Sequence, residues 1–382
     1  MNTADFRDPQ AGRVVQAARG YAAFVPASLP PPLEYEPGLV LALSRADAAL
    51  GELSGLGRRL PNPHLLIAPY IRREAVLSSR IEGTKASLSD LLLDEVEDGR
   101  VEDADIREVR NYIDALEYGL ARLRDLPLSL RLVREIHQRL MVGVRGDRAT
   151  PGEFRRTQNW IGPPGSTPAT APYVPPPPEL MPDLLSDWER FLHERHQLPD
   201  LVQCALMHEQ FEAIHPFLDG NGRVGRLLIT LFLTERGRLF QPLLYLSAYF
   251  EAHRQAYYDA LQRVRTDGDW AGWLGFFLRG VEETAREAVH QASRLTDLYD
   301  AFRLRLRQKP NALALLDELF VNPYVTVSRA ARALKVSDPT ARQAIVLLEG
   351  AGLLEEISGR SWRRLYLARP ILEAIENRPV NS

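Results

Sequence analysis

His215-Pro216-Phe217-Leu218-Asp219-Gly220-Asn221-Gly222-Arg223-Val224-Gly225-Arg226 gathers a base, a carboxylate, a flexible turn and two arginines into twelve residues. Gly220, Asn221 and Gly222 tolerate positive φ, so the chain can turn tightly there and aim successive backbone N–H groups one way. Helical spacing resumes at Arg223 and predicts a helix to Arg236. The free N–H groups at the start of such a helix, and its macrodipole, attract anions. Arg223 and Arg226 are three apart, share the face at that end, and suit phosphate oxygens through their planar donor forks. Asp219 offers the hard oxygen that Mg2+ takes beside nucleotide phosphates. His215 offers a base that titrates near neutral pH. These are the ingredients of group transfer at a nucleotide phosphate.

The same stretch contains Gly220-x-Gly222-x-x-Gly225, the spacing of a dinucleotide-binding turn, but that turn needs a buried strand before it. Leu201 to Ile214 instead carries apolar residues at helical spacing, with His208, Glu209 and Gln210 among them. The reading is helix, loop, helix, and a P-loop motif occurs nowhere in the chain. The segment resembles the signature of the Fic family, His-x-Phe-x-Asp/Glu-Gly-Asn-Gly-Arg-x-x-Arg, and all eight specified positions match.

The resemblance implies a protein adenylyltransferase that uses ATP and Mg2+. His215 would take the proton from a Ser, Thr or Tyr hydroxyl of a target protein. That hydroxyl would attack the α-phosphate, leaving AMP on the target as pyrophosphate departs. Asp219 would bind Mg2+ between the α- and β-phosphates, and Gly220, Asn221 and Gly222 would cradle phosphate oxygens. Arg223 and Arg226 would neutralise charge on the β- and γ-phosphates. The logic is positioning plus electrostatic stabilisation. Phe217 has no polar task and reads as a core anchor that fixes the loop.

Far upstream, Ser78-Ser79-Arg80-Ile81-Glu82-Gly83 reads by itself as a polar helix end closed by glycine. It resembles the family's inhibitory motif, Ser/Thr-x-x-x-Glu-Gly/Asn. The resemblance assigns Ser78, Glu82 and Gly83 to a brake, in which the Glu82 carboxylate pairs with Arg226 and stands where a phosphate belongs. Gly152 to Pro178 reads as two short strands, around Trp160-Ile161-Gly162 and Tyr173-Val174, forming an exposed hairpin before four consecutive prolines. It resembles the family's target-docking flap, which would align a target segment by strand addition. Tyr257 and Tyr258 fall where relatives contact adenine and ribose, and an aromatic ring there could stack on the base.

Around these motifs the chain is mainly helical. Residues 1–36 are punctuated by proline and predict a surface wrap rather than a core. Helical spacing runs from Leu39 to about Gly83, broken at Leu60-Pro61-Asn62-Pro63, then from Leu88 to Arg124, Leu128 to Leu140, Met181 to His196, and on to about Leu306. Beyond Lys309 the order changes to helix, helix, helix, hairpin, the order of a winged helix-turn-helix. Ser337-Asp338-Pro339 opens the third of those helices. Val321 to Leu367 carries seven Lys and Arg against four Asp and Glu. Arg360, Arg363 and Arg364 sit on the expected wing, where phosphate contacts are common.

The expected fold is therefore mainly α: an N-terminal helical domain with the inhibitory helix over 1–120, a Fic-type helical core with a small β-hairpin flap over 121–300, and a winged helix-turn-helix over 308–382. A chain of 382 residues with net charge −3 is large enough for several domains and is not a bulk polyanion binder. Its single cysteine, Cys204, forms no internal disulfide. Met1 to Arg19 has no apolar signal core and no run is long enough to span a membrane, which predicts a cytoplasmic protein. Expected partners are hydroxyl-bearing target proteins, with self-modification, a homodimer and DNA at the winged helix left open. Two rivals also stay open: a DNA-binding regulator whose core only senses nucleotide, and a Fic enzyme that uses another donor or removes AMP.

Overall fold

A computed structural model describes residues 1–17, 20–59, 63–97, 103–144 and 150–376. The expected break at Leu60-Pro61-Asn62 lies outside the described residues. It falls between α1 (Pro37–Arg59) and α2 (His64–Ile81). The helical series continues with α3 (Leu88–Val96), α4 (Ala104–Arg122), α5 (Leu130–Leu140), α6 (Met181–His193), α7 (Asp200–Ile214) and α8 (Asn221–Glu235). After the signature come α9 (Ser247–Ala252), α10 (Arg254–Asp267) and the long α11 (Trp270–Leu306). Local rules explain many boundaries. Ser87 and Asp90 form a capping box at α3, and Asp103 and Ser129 cap α4 and α5.

α7 is the centre of the molecule. Every residue from Leu201 to Ile214 is buried, and a helix buried all round must satisfy its polar groups internally. Gln203 donates to Phe191 O at 2.6 Å, Glu209 pairs with Arg265 at 3.2 Å, and Gln210 donates to Ala27 O at 2.9 Å. α8 packs on α7 across the signature loop, α4 packs on α5, and α2 lies on α4 and α9. α1 runs along α11. The two helices flanking the chemistry are thus held by a core that reaches from Leu39 to Ile375.

The first 36 residues depart from the expected surface wrap. β1 (Gly12–Gln16) and β2 (Ala22–Pro26) form an antiparallel hairpin with its own small apolar cluster. Phe24 and Ala23 pack there with Ala171, Tyr173 and Val174. The run Ala22-Ala23-Phe24-Val25 is too short to announce a core alone. It becomes one because the flap supplies the other half.

The flap itself is less regular than expected. It holds one bridge, Ile161 with Tyr173, and no ladder. Pro163, Pro164, Pro172 and Pro175 lack the N–H groups that would extend it. It is also not exposed throughout: Tyr173 and Val174 are buried, whereas Trp160 is 42% exposed.

The C-terminal part follows the expected order with two additions. α12 (Pro310–Val321), α13 (Val327–Leu334) and α14 (Asp338–Gly350) are followed by β4 (Glu355–Glu356) and β5 (Leu365–Leu367). A third strand, β3 (Tyr324–Thr326), pairs with the other edge of β5, and α15 (Arg369–Glu376) packs back on α11 and α2. Asn322 ties α12 to α3 through Leu92 O at 2.9 Å. Among the described residues, no helix is long and apolar enough to cross a membrane.

Candidate active site

The loop between α7 and α8 is set by backbone geometry first. His215 ends α7 in the left-handed region at φ 50°, and Gly220 starts α8 at φ 78°. Asn221 closes the loop. Its Oδ1 accepts from Phe217 N at 2.8 Å and its Nδ2 donates to Phe217 O at 2.9 Å. The Asn221 side chain is therefore engaged in holding the turn, and what it offers a ligand is backbone. Phe217 is fully buried and stacks on His137 at 3.7 Å, the anchor role expected of it. Gly225 has a packing reason for its small size: a Cβ there would come within 2.6 Å of Glu212 Oε1.

The brake residues meet the signature across 144 positions of sequence. Glu82 Oε1 accepts from Arg226 at 2.7 Å, while Ser78 takes two further Arg226 donors, at 2.9 Å to Oγ and 3.0 Å to its carbonyl. Ser78 is fully buried and Arg226 nearly so. Gly83 follows at φ 103°, so the chain leaves α2 through a conformation that favours glycine. A Cβ on Gly222 would collide with Glu82 Oε1, so the carboxylate lies against the first turn of α8. An anion at a helix N-terminus beside an arginine is the arrangement expected of a phosphate site. Burial pushes the Glu82 pKa up, but the charge and hydrogen bond of Arg226 outweigh it and hold the group below its usual range. Glu82 is thus ionised near neutral pH.

Arg223 is also buried and pairs with Glu108 at 3.0 Å, with Asp219 at 3.8 Å. Asp219 is half exposed and points one oxygen at Gly220 N, at 2.7 Å. His215 sits at the base of the loop with its side chain 19% exposed. Its Nδ1 donates to Glu212 O at 3.3 Å, which leaves Nε2 as the acceptor. Burial, and then the positive charges of Arg155 and Arg265, lower its pKa to about 3. It is neutral at pH 7 and so free to take a proton. Burial raises neighbouring Glu212 to about 7.

Residues 40–121 match the model of the Fic/DOC family N-terminal region, and residues 127–233 match that of the Fic/DOC family. The chain belongs to the Fic/DOC family. Over 211 residues it is 28% identical to "Protein adenylyltransferase Fic" of Aedes aegypti, which covers 55% of this chain and 38% of the relative. Over 159 residues it is 35% identical to the protein of that name from Culex quinquefasciatus, covering 41% and 28%. The chain thus spans about a third of the length of these curated relatives. A Fic family protein from Desulfovibrio desulfuricans has the same fold, with TM-score 0.59 and 24% identity over 89% of this chain and 98% of that one. Residues 134–508 of Fic-1 from C. elegans follow at TM-score 0.53 and 22% identity, covering 67% and 74%.

Beyond the matched regions, on α10, the two tyrosines separate. Tyr257 is 1% exposed, stacks on Phe250 and bonds His208 Nε2 through its hydroxyl at 2.9 Å. It offers no face to a base, and the expectation for it is corrected to a core role. Tyr258 is 41% exposed and keeps its ring available beside Arg254.

Two residues that position the loop were not foreseen. Arg155 is 2% exposed and bonds four backbone carbonyls: His215 O at 2.9 Å, Pro176 O at 2.7 Å, and Thr157 O and Ile214 O at 3.3 Å. It caps the C-terminal carbonyls of α7 and ties them to the flap. His137 accepts from Gly152 N at 2.9 Å, so its Nε2 is the protonated nitrogen and donates to Asp219 O at 3.0 Å. Both act on backbone atoms, which leave no pattern in a sequence. The periodicity of α5 shows only that His137 faces inward.

Proposed function

We propose that the chain is a protein adenylyltransferase that moves AMP from ATP to a Ser, Thr or Tyr hydroxyl of target proteins, and that Glu82 holds it in check. One observation carries the reading: a carboxylate of the chain itself occupies the first turn of α8, on Arg226 and against Gly222. That placement supports an anion site in the loop with a brake seated on it. The curated relatives, named as protein adenylyltransferases, supply the class of reaction.

In this reading the target hydroxyl oxygen forms a bond to the α-phosphorus, the bond from that phosphorus to the β-phosphate oxygen breaks, and pyrophosphate leaves. The hydroxyl proton goes to His215 Nε2. His215 is held as the Nδ1–H tautomer by Glu212 O, and an incoming polyanion raises its depressed pKa toward the working range. Gly220, Asn221 and Gly222 contribute backbone N–H groups to phosphate oxygens. Arg226, released from Glu82, and Arg223 stabilise charge on the phosphates. Asp219, half exposed, fits Mg2+, which takes one or two carboxylates and otherwise phosphates and water. When bound, the ion would offset phosphate charge. Tyr258 is the aromatic side chain placed to flank the base.

The flap would dock the target on its Trp160 to Gly162 side, since Ile161 already bonds Tyr173 on the other. We further propose three units, an N-terminal helical unit, the Fic core and a C-terminal winged helix. Arg360, Arg363 and the 77% exposed Trp362 of the wing would face DNA.

The test is transfer of α-labelled ATP to protein by wild type, Glu82→Gly, and Glu82→Gly with His215→Ala. Label should rise at least about tenfold in Glu82→Gly and vanish with the histidine. Equal label in wild type and Glu82→Gly would remove the brake. Label that persists without His215 would remove the mechanism.

A further inference from the structure

The stripe of α2 beside the brake borders a second cavity. Tyr70, Arg73, Glu74 and Leu77 fall at one-turn spacing on α2 and, with α9 and α11, enclose about 260 Å3 that is lined by no residue of the signature loop. That is just below the roughly 300 Å3 at which small-molecule pockets commonly begin. The wall is aromatic and acidic. Tyr70, Tyr245 and Tyr249 bring rings, and Glu287 with the exposed Glu283, one turn apart on α11, bring two carboxylates against the one arginine of the wall, Arg73.

Most polar groups of this wall have partners. Tyr70 Oη donates to Ala288 O at 2.9 Å, and Arg73 donates to Gln291 Oε1 at 3.3 Å. His253 Nδ1 bonds Tyr249 O at 3.0 Å, and Glu74 takes Ser247 Oγ at 2.5 Å and Tyr112 Oη at 3.1 Å. Two atoms have none: Tyr245 Oη, on a residue only 6% exposed, and Glu287 Oε1. Buried polar atoms are nearly always satisfied, so such orphans point to an absent partner.

We propose that this cavity binds a small organic cation, an amine with a short apolar body, and that its occupancy reinforces the Glu82 brake. The ammonium would sit between Glu283 and Glu287, where two carboxylates face it and tyrosine rings attract it further. Tyr245 Oη would accept from it. An anion would meet those carboxylates, and a neutral ligand would forgo them. The link to the brake rests on the reading of Glu82 given above. Glu74 borders the cavity and bonds Tyr112, and it stands one turn of α2 before Ser78, which holds Arg226. The cavity belongs to the form in which Glu82 is seated, and a ligand that prefers one form shifts the population toward it. Linkage is reciprocal, so ATP and the amine must weaken each other by the same factor.

Benzylamine is the probe, with benzyl alcohol and benzoate as its neutral and anionic counterparts, titrated into the full chain by calorimetry. Benzylamine should bind wild type at least about tenfold more tightly than benzyl alcohol, and benzoate should not bind. Glu283→Gln with Glu287→Gln, checked for unchanged thermal unfolding, should cost at least about tenfold, and Tyr245→Phe, which keeps the ring, about threefold. Absence of benzylamine binding, or equal binding of the three probes, overturns the site. Saturating benzylamine should weaken ATP binding to wild type about fivefold and leave Glu82→Gly unchanged. Benzylamine binding with no effect on ATP, or an equal effect on Glu82→Gly, overturns the coupling. Should Glu82→Gly neither gain transfer nor bind ATP more tightly than wild type, the brake reading falls and takes the coupling with it, while the calorimetric comparison of the three probes still decides the cavity.

Discussion

The signature loop and the flap that faces it use similar residues, prolines and glycines around an aromatic anchor, yet one is pinned and the other is open. The loop's turns are tied from four directions, by Asn221 within it, Asn159 and Arg155 from the flap base, and His137 from α5. The outer flap holds one bridge, and Trp160 stands 42% exposed. Atoms that react must stay within a fraction of an ångström of their places, whereas a surface that receives a protein segment needs unpaired backbone. The flap is fixed where it meets the rest of the molecule, through Tyr173 Oη on Ala213 O at 2.7 Å, Phe24 N on Val174 O at 2.9 Å and the Met1 amino group on Pro168 O at 2.8 Å, while its Trp160 side stays open.

Breaking the pinned side should have the largest effect. Arg155→Ala removes a donor from four backbone carbonyls, two of those bonds fully buried, and should lower unfolding free energy by about 3 kcal/mol. Denaturant titration at pH 7.5 measures it, and a loss under 1 kcal/mol would mean the loop is held otherwise. Next comes His215→Gln, read by its pH dependence. The folded pKa of His215 lies near 3 and the unfolded value near 6.5, so the unfolded state binds the extra proton between those pH values. Wild-type stability therefore falls as pH drops through that window. The variant escapes this loss and should gain on wild type by roughly 2–3 kcal/mol between pH 7 and pH 4. A constant difference would place His215 in a wetter setting than its burial implies. The smallest stability change belongs to the open side. Trp160→Ala should cost less than about 1 kcal/mol yet reduce transfer to targets more than ATP binding. Equal losses in both would make the flap part of the nucleotide site.

Much of the chemistry was legible beforehand because it is local. The turn, the helix start and the paired arginines lie within twelve residues and follow from propensities that hold in any context. The ends of α2, α7 and α11 were readable for the same reason. β3 and α15 were not. Three strand residues and two helical turns carry too little periodicity, and each exists through its neighbours, β5 for one and α11 for the other.

The sequence by itself determined the mainly helical class, the signature loop with His215, Asp219, Arg223 and Arg226, and the position of the Ser78 to Gly83 motif at the end of a helix. Tertiary structure alone decided that Glu82 reaches Arg226 over 144 residues, that Tyr257 is core while Tyr258 is free, and that residues 12–26 fold against the flap. It also decided that Arg155 and His137 hold the loop. The division has one physical cause. Turn and helix preferences act over a few residues and are written in side-chain identity, whereas burial and bonds to distant backbone carbonyls exist only once the chain has packed.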